Sequence, residues 1–582
     1  MRKNSHVAAI LYEIADLLEI QDVQWKPQAY RKAAQTIESL PEDIAEVAHQ
    51  GLKKLEELPG VGKNIAEKIE ELVKKGKLGY LEKLKKQIPI DVGQLMQIEG
   101  LGPKTIKRLY KQLKIKTLAD LKHAAQEKKM RKLEGMGEKK EQQILESIKR
   151  LEKRGPERFL LGHVAPLADE IVQTLKRVPG VQDAIVAGSF RRGKETVGDL
   201  DILITSTQPK TVMEKFITLK GVDKVLAHGD TKSSIRLENG LQIDARVVEK
   251  NQYGSALQYF TGSKEHSIAL RKIALKKGLT LSEYGLFKIR GKTNSKKLLV
   301  SKTEEEVYAK LGMQCPPPEM RENLGEIELA QKHKLPKLVE WKDLHGDFQT
   351  QTNWSDGAHS MEEMARKAQE LGWKFMVITD HVGGIGIVHP LDEKRLAKQG
   401  AEIDKLNNKF EQNKLDFHLF KGAEVDIKAN GELALSKEAC KKLDVVLASI
   451  HSSFRMVNGE MTKRICHAIE NYPVHVLAHP TARNIPERDP IDFDLEKVFQ
   501  TAKDQSVYLE INGQPKRMDL KDSHVQLARE LGCEFVISSD AHSKDQLTYL
   551  RYGLLTARRG WLQKSDILNT HTVAQTEKQL QR

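Results

Sequence analysis

The chain has 582 residues, with 95 Lys and Arg against 81 Asp and Glu, a formal charge of +14 and an isoelectric point near 9.2. That length exceeds a single hydrophobic core and predicts several domains, while a hydrophobic share of 39% excludes wholesale disorder. The four cysteines, Cys315, Cys440, Cys466 and Cys533, form no C-x-x-C pair and exclude a disulfide scaffold or a cysteine zinc site.

The opening stretch MRKNSHVAAILYEIADLLEI is amphipathic and broken by acids. It reads as a helix and not as a signal peptide or membrane span, and a cytoplasmic, monomeric protein with no membrane partner is expected. Residues 1–154 read as helical throughout and hold 32 Lys and Arg against 23 Asp and Glu, nine of the surplus charges. Such a basic region suggests a polyanion partner. It contains a repeat: Leu58-Pro-Gly-Val-Gly62, Ile98-Glu-Gly-Leu-Gly102 and Leu133-Glu-Gly-Met-Gly137. The glycine pairs (Gly60 and Gly62, Gly100 and Gly102, Gly135 and Gly137) permit tight turns and leave amides at the next helix N-terminus, where a phosphate is favoured. One copy could equally be a plain helix-helix turn. Three copies in a basic region resemble the helix-hairpin-helix of sequence-independent DNA binders.

From residue 156 the pattern changes. A helix over Phe159–Arg177 precedes strands at Ala184–Ala187, Asp201–Thr205, Val225–Ala227, Ser234–Leu237 and Leu241–Val248, an α+β unit. Within it lies GSFRRGKETVGDLDILI, residues 188–204. Asp199 and Asp201 stand two apart on a strand and so share a face. Converging carboxylates repel unless a cation lies between them. In LQIDARVV, Asp244 and Arg246 share a face opposite Ile243, Ala245 and Val247, which makes Asp244 the natural third carboxylate; the alternative is a solvated strand residue. Residues 251–312 are mixed, and the three prolines in Met313–Pro318 with the polar helix after them read as a linker.

Between Glu340 and about Gln575, strands and helices alternate, and apolar strands end in potential ligands. Side chains gathered at the C-terminal ends of successive strands mark a β/α barrel or a related α/β fold. The residues there are His381, Glu424, His451, His479, Glu510, Asp540 and His542, a set suited to Zn²⁺ or Mn²⁺.

On GSFRRGKETVGDLDILI and YFTGS, residues 1–315 resemble the family X DNA polymerases, and the whole chain resembles their bacterial arrangement with a C-terminal polymerase-and-histidinol-phosphatase (PHP) domain. The resemblance implies a small 5′-phosphate-binding domain over 1–85 and a second helix-hairpin-helix subdomain over 86–155. It further implies a nucleotidyltransferase palm over 156–250, a nucleotide-selecting thumb over 251–315, a linker over 316–339 and a PHP domain over 340–575. The expected activity is template-directed filling of short gaps in primed duplex DNA from deoxynucleoside triphosphates, as in base excision repair. Asp199, Asp201 and Asp244 would bind two Mg²⁺. Gly188, Ser189, Arg192 and Gly198 match the triphosphate grip. Tyr259, Phe260 and Gly262 match the wall against the sugar, and Arg271 a template-side arginine. Ser267 stands where an asparagine is usual. A template-free nucleotidyltransferase remains an alternative from the aspartates alone.

Lys26, Tyr30 and Lys68 fit the family's DNA-binding positions, and Lys68 aligns with a Schiff-base lysine. Asn64 and Trp25 depart from that pattern, which favours phosphate binding over lyase chemistry for Lys68. In the barrel, the family's H-x-H motif is replaced by Gln349-Thr-Gln351. Amides are poorer ligands than imidazole. Asp356, His381, Glu424, His451, His479, Asp540 and His542 keep the remaining ligand pattern. A weak or absent 3′-5′ exonuclease is therefore expected, the alternative being a fully active exonuclease with abasic-site endonuclease activity.

Overall fold

The computed structural model describes residues 3–581 apart from 22, 40–43, 59, 76–77, 89, 97, 99–100, 134–135, 154–157, 291–294 and 384–388. It divides into two compact units, Met1–Glu157 and Arg158–Arg582.

The first unit is helical. One buried cluster runs from Val7 through Leu11, Ile37, Ile69 and Ile106 to Ile148, so both predicted N-terminal subdomains share an apolar core. Three helices follow the glycine turns: α1 (Lys63–Lys75), α2 (Pro103–Leu113) and α3 (Glu138–Lys153). Gly102 caps α2 and Pro103 takes its first turn, where the missing N–H costs nothing. Gly100 and Gly135 lie outside the described residues.

The second unit begins with α4 (Leu161–Lys176) on a five-stranded sheet of β1 (Val181–Val186), β2 (Asp199–Ser206), β3 (Val222–His228), β4 (Lys232–Leu237) and β5 (Gln242–Val248). The strand order is β1-β2-β5-β4-β3, and only β2 and β5 run parallel. Burial alternates strictly along β5, so the inward Ile243, Ala245 and Val247 fix which face carries Asp244. A short helix, α5 (Gly188–Arg191), joins β1 to β2. Helices α6 (Tyr253–Thr261) and α7 (Lys264–Lys276) lead to a three-stranded antiparallel sheet of β6 (Leu279–Ser282), β7 (Gly285–Arg290) and β8 (Ser295–Val300), then to α8 (Glu304–Lys310) and α9 (Glu326–Gln331).

The segment 316–339 differs from the linker expected. Met320, Arg321, Glu326, Ile327 and Ala330 are buried. Two of its charged residues are satisfied internally. Arg321 pairs with Glu304 and donates to Pro316 O at 2.9 Å, while Glu326 meets His266 Nδ1 at 2.5 Å.

The rest is the predicted barrel. Its parallel strands run β9 (Gly346–Thr350), β10 (Phe375–Ile378), β11 (His381–Val382), β12 (His418–Asp426), β13 (Val445–Ser449), β14 (Val476–Leu477), β15 (Tyr508–Asn512) and β16 (Phe535–Ser538). A parallel bridge between Thr350 and Ala541 nearly closes the ring. Phe348, Phe375 and Phe420 meet edge to face at 5.5 Å in an apolar cluster of their own, while a larger cluster joins the strands to the surrounding helices. Two of those helices matter below, α10 (Asp522–Leu531) and α11 (Leu550–Arg559). Among the described residues, no helix is long and apolar enough to cross a membrane.

Candidate active sites

Parallel pairing of β2 with β5 sets Asp201 beside Asp244 and Asp199 beside Gln242. Burial pushes the Asp201 carboxyl up to about 7, with the Asp199 and Asp244 charges adding to it. Asp199 is raised too, by burial and then by Asp244. Carboxylates resisting ionisation together are the electrostatic condition that a divalent cation relieves. Asp244 is oriented by neighbours that sequence reading missed. The Ser234 hydroxyl donates to its Oδ1 and the Gln242 amide to its Oδ2 at 3.1 Å. A cavity of about 70 Å³ opens between Asp201, Lys232, Asp244, Arg246 and Phe260.

Gly188 adopts φ +59°, and a Cβ there would stand 2.6 Å from Asp201 Oδ2. Only glycine lets the turn bearing Ser189 and Arg192 close on the carboxylates. Arg192 donates from Nε to Glu322 at 3.0 Å and from Nη1 to Thr261 O at 2.6 Å. Its charge is felt at Asp201. Tyr259 and Phe260 meet edge to face at 5.2 Å, and the Arg246 guanidinium lies over the Phe260 ring at 5.2 Å. Gly262 (φ +71°) leaves space filled by Arg192 Nη1. Ser267 is buried, and its carbonyl accepts from Arg271 Nε at 3.2 Å. Gly198 lies against Arg158, a residue outside the motifs. Arg158 holds Thr196 by two hydrogen bonds of 3.0 and 2.7 Å and opposes the upward shift of Asp199.

In the barrel, two clusters place their ligand atoms within 4.8 Å of one another: Asp356, His381 and His542, and His381, Glu424 and His451. Although burial opposes the charge, Asp356 and Asp540 hold His542 up at about 9. Glu424 and Asp426 do the same for His451, also at about 9. Burial, with Arg517 nearby, pushes His479 down to about 4, and its Nε2 meets Glu424 Oε1 at 2.8 Å. The substituted motif has its own geometry. Gln349 and Gln351 both donate from Nε2 to Glu424 Oε2, at 2.8 and 3.2 Å. Asp540 accepts from Asn512 at 3.2 Å and pairs with Arg517 Nε at 3.1 Å; it joins neither cluster. Burial and then Asp540 push Glu510 well above the usual carboxylate range. The three-residue set around Asp356 has the spacing to hold a divalent cation, and so does the set around Glu424. In the second set the N–H donors of Gln349 and Gln351 occupy one oxygen of the Glu424 carboxylate.

In the helical unit, Cβ positions on Gly62, Gly102 and Gly137 would meet nothing within 4 Å, so these three positions are open. Gly60 (φ +80°) packs against Lys32. Lys68 donates to Asn64 O at 2.9 Å and lies 4.8 Å over the Tyr80 ring, which stacks on buried Tyr30 at 6.4 Å. Lys26 is exposed, and Trp25 is 84% exposed.

Comparison with known proteins bears on each part. Residues 2–78 match a helix-hairpin-helix domain and 92–150 a SAM-like helix-hairpin-helix tandem. Residues 162–259 match the DNA polymerase beta palm, 256–322 its thumb and 347–514 the PHP domain. DNA polymerase lambda of Rattus norvegicus is 26% identical over 347 residues, 55% of this chain and 56% of that one. DNA polymerase lambda of Arabidopsis thaliana is 29% identical over 344 residues, 53% and 60%. The DNA polymerase/3′-5′ exonuclease PolX of Bacillus subtilis (strain 168) is 35% identical over 579 residues, covering 99% of each chain. With that match running through helical unit, palm, thumb and barrel alike, the chain belongs to the family X DNA polymerases that carry a C-terminal PHP domain.

Proposed function

We propose that this DNA polymerase fills short gaps in primed duplex DNA by two-metal nucleotidyl transfer, with gapped DNA and deoxynucleoside triphosphates as substrates. The observation that carries the reading is the convergence of Asp199, Asp201 and Asp244, two of them held above their ordinary pKa by burial and one another. The three carboxylates fit a pair of Mg²⁺, which when bound would supply charge neutralisation for in-line displacement at the α-phosphate. The chain's own groups do the rest. Ser189 and Arg192 receive the triphosphate, Tyr259 and Phe260 wall the sugar, and Ser234 and Gln242 keep Asp244 aimed. The glycine turns, together with Lys26, would grip the DNA backbone, and Lys68 is assigned to phosphate binding there; Tyr30, expected at the DNA, is instead buried in the helical core and supports the Tyr80 ring beneath Lys68. In primer extension on a gapped duplex with Mg²⁺, Asp199→Ala and Asp201→Ala should each abolish synthesis. Extension at the unmodified rate by either variant would sink the assignment.

For the barrel, the donation of both glutamine amides to Glu424 supports a weakened 3′-5′ exonuclease, with Asp356, His381 and His542 left to hold one Mn²⁺ or Zn²⁺. Imidazoles at 349 and 351 would present lone pairs to a cation; the amides present hydrogens to a carboxylate.

A further inference from the structure

The turn that carries Arg192 is backed by the barrel. Leu555 of α11 lies 3.2 Å from where a Cβ on Gly193 would be. Arg559, at the C-terminal end of α11, is almost fully enclosed, its side chain 4% exposed. Its Nη1 donates to the carbonyl of Arg192 at 2.7 Å and to Glu322 Oε1 at 3.0 Å. Its Nε donates to Asp522 Oδ2 of α10 at 2.9 Å, which anchors it from behind. Lys194 stands 3.5 Å from the same Glu322 oxygen.

Glu322 Oε1 also accepts from Arg192 Nε, while Arg192 Nη1 is spent on Thr261 O. A guanidinium is a rigid planar fork, so fixing two of its nitrogens fixes the direction of the third. Among the described residues Nη2 of Arg192 has no protein partner, and the fork lies close enough to Asp201 to oppose its upward shift. The pattern is a chain of custody: α10 holds Arg559, Arg559 holds Glu322, and Glu322 holds the fork with one edge unspent.

We propose that Arg559 of the barrel, acting through Glu322, is a positioning residue for nucleotidyl transfer, holding Arg192 with its free edge toward the triphosphate of the incoming nucleotide. The inference rests on Arg192 being a phosphate ligand. It gives the barrel a part in polymerisation that is separate from the metal-ligating residues of its own site.

Single-nucleotide extension by the full-length protein tests this. Arg559→Gln should raise the KM for the deoxynucleoside triphosphate roughly tenfold, the scale of one charge-assisted hydrogen bond. The affinity for gapped DNA should change little; the thermal midpoint should fall, since Glu322 and Asp522 lose a buried partner, so the KM of the folded protein is the deciding reading. Glu322→Gln should shift KM in the same direction, and Arg559→Lys should restore part of the loss. Paired with Arg192→Lys, Arg559→Gln should add less than its separate effect, because both act through one fork. A merely structural role would lower the thermal midpoint and the active fraction with KM unmoved, which overturns the proposal. If Arg559→Gln does not fold, Glu322→Gln and Arg559→Lys decide the matter by the same KM reading. Arg192→Ala separates the two ideas. Unchanged KM there removes the phosphate reading and the proposal with it; raised KM there with no change in the Glu322 and Arg559 variants removes the proposal alone.

Discussion

His266 shows how one side chain can tie acid stability to an unexpected segment. It is fully buried, with Nδ1 on Glu326 at 2.5 Å and Nε2 on the Tyr308 hydroxyl at 2.7 Å. Burial holds its pKa below the ordinary value despite the Glu326 charge, and Glu326 is itself held low by the imidazole although burial opposes this. The pair is thus a neutral imidazole beside an ionised carboxylate. Both groups bind protons more readily in the unfolded chain, so their stabilisation is complete above about pH 6.5 and is lost as pH falls. We predict that the thermal midpoint drops between pH 7 and pH 5, as the unfolding free energy falls by at most about 1.4 kcal/mol per pH unit for each proton taken up. His266→Gln should flatten the upper part of that decline. An equally steep profile in the variant would assign the acid sensitivity to other groups.

At the scale of elements, the polymerase centre was legible because a strand has a period of two. Asp199 and Asp201 could be placed on one face from spacing alone and Asp244 on the polar face of its own strand, and the pairing of β2 with β5 then set Asp201 beside Asp244. The barrel strands were legible for a related reason, since each is an apolar run ending in a polar residue. What escaped were partners with no motif. Ser234 and Gln242 orient Asp244 through strand register, and Arg158 reaches its place from beyond the palm motif. The segment 316–339 misled because prolines and charges read as solvated, whereas Arg321 and Glu326 are buried in ion pairs. Gln349 of β9 and Gln351 just beyond it were legible as poor ligands, but their grip on Glu424 was not. That grip predicts that unmodified protein degrades a labelled 3′ end slowly or not at all with Mn²⁺. Restoring histidines together, Gln349→His with Gln351→His, should raise that rate at least tenfold and add bound metal by elemental analysis. Robust digestion by the unmodified protein, lost in His451→Ala, would show the glutamines to be tolerated.

The second unit as a whole does not separate into a polymerase and an attached barrel. Met518 and Tyr552, both from the barrel, lie inside the palm's buried cluster with Leu161, Ile202 and Ile243. Gly162 of α4 has no room for a side chain, since a Cβ there would stand 2.4 Å from Pro515. Arg483 reaches Glu195 at 2.6 Å. Tyr552→Ala should therefore cost the palm about 3 kcal/mol, on the scale of other large-to-small core changes. Chemical denaturation should register that loss, and primer extension should decline at temperatures where the unmodified protein is fully active. Stability unchanged by the substitution would show that the palm closes its own core. The shared core also bears on how such a barrel is inherited. A barrel that merely hung from a polymerase could be removed by truncation and leave that polymerase folded. One whose tyrosine sits inside its neighbour's interior cannot be removed without opening that neighbour's core, whatever chemistry the barrel itself performs.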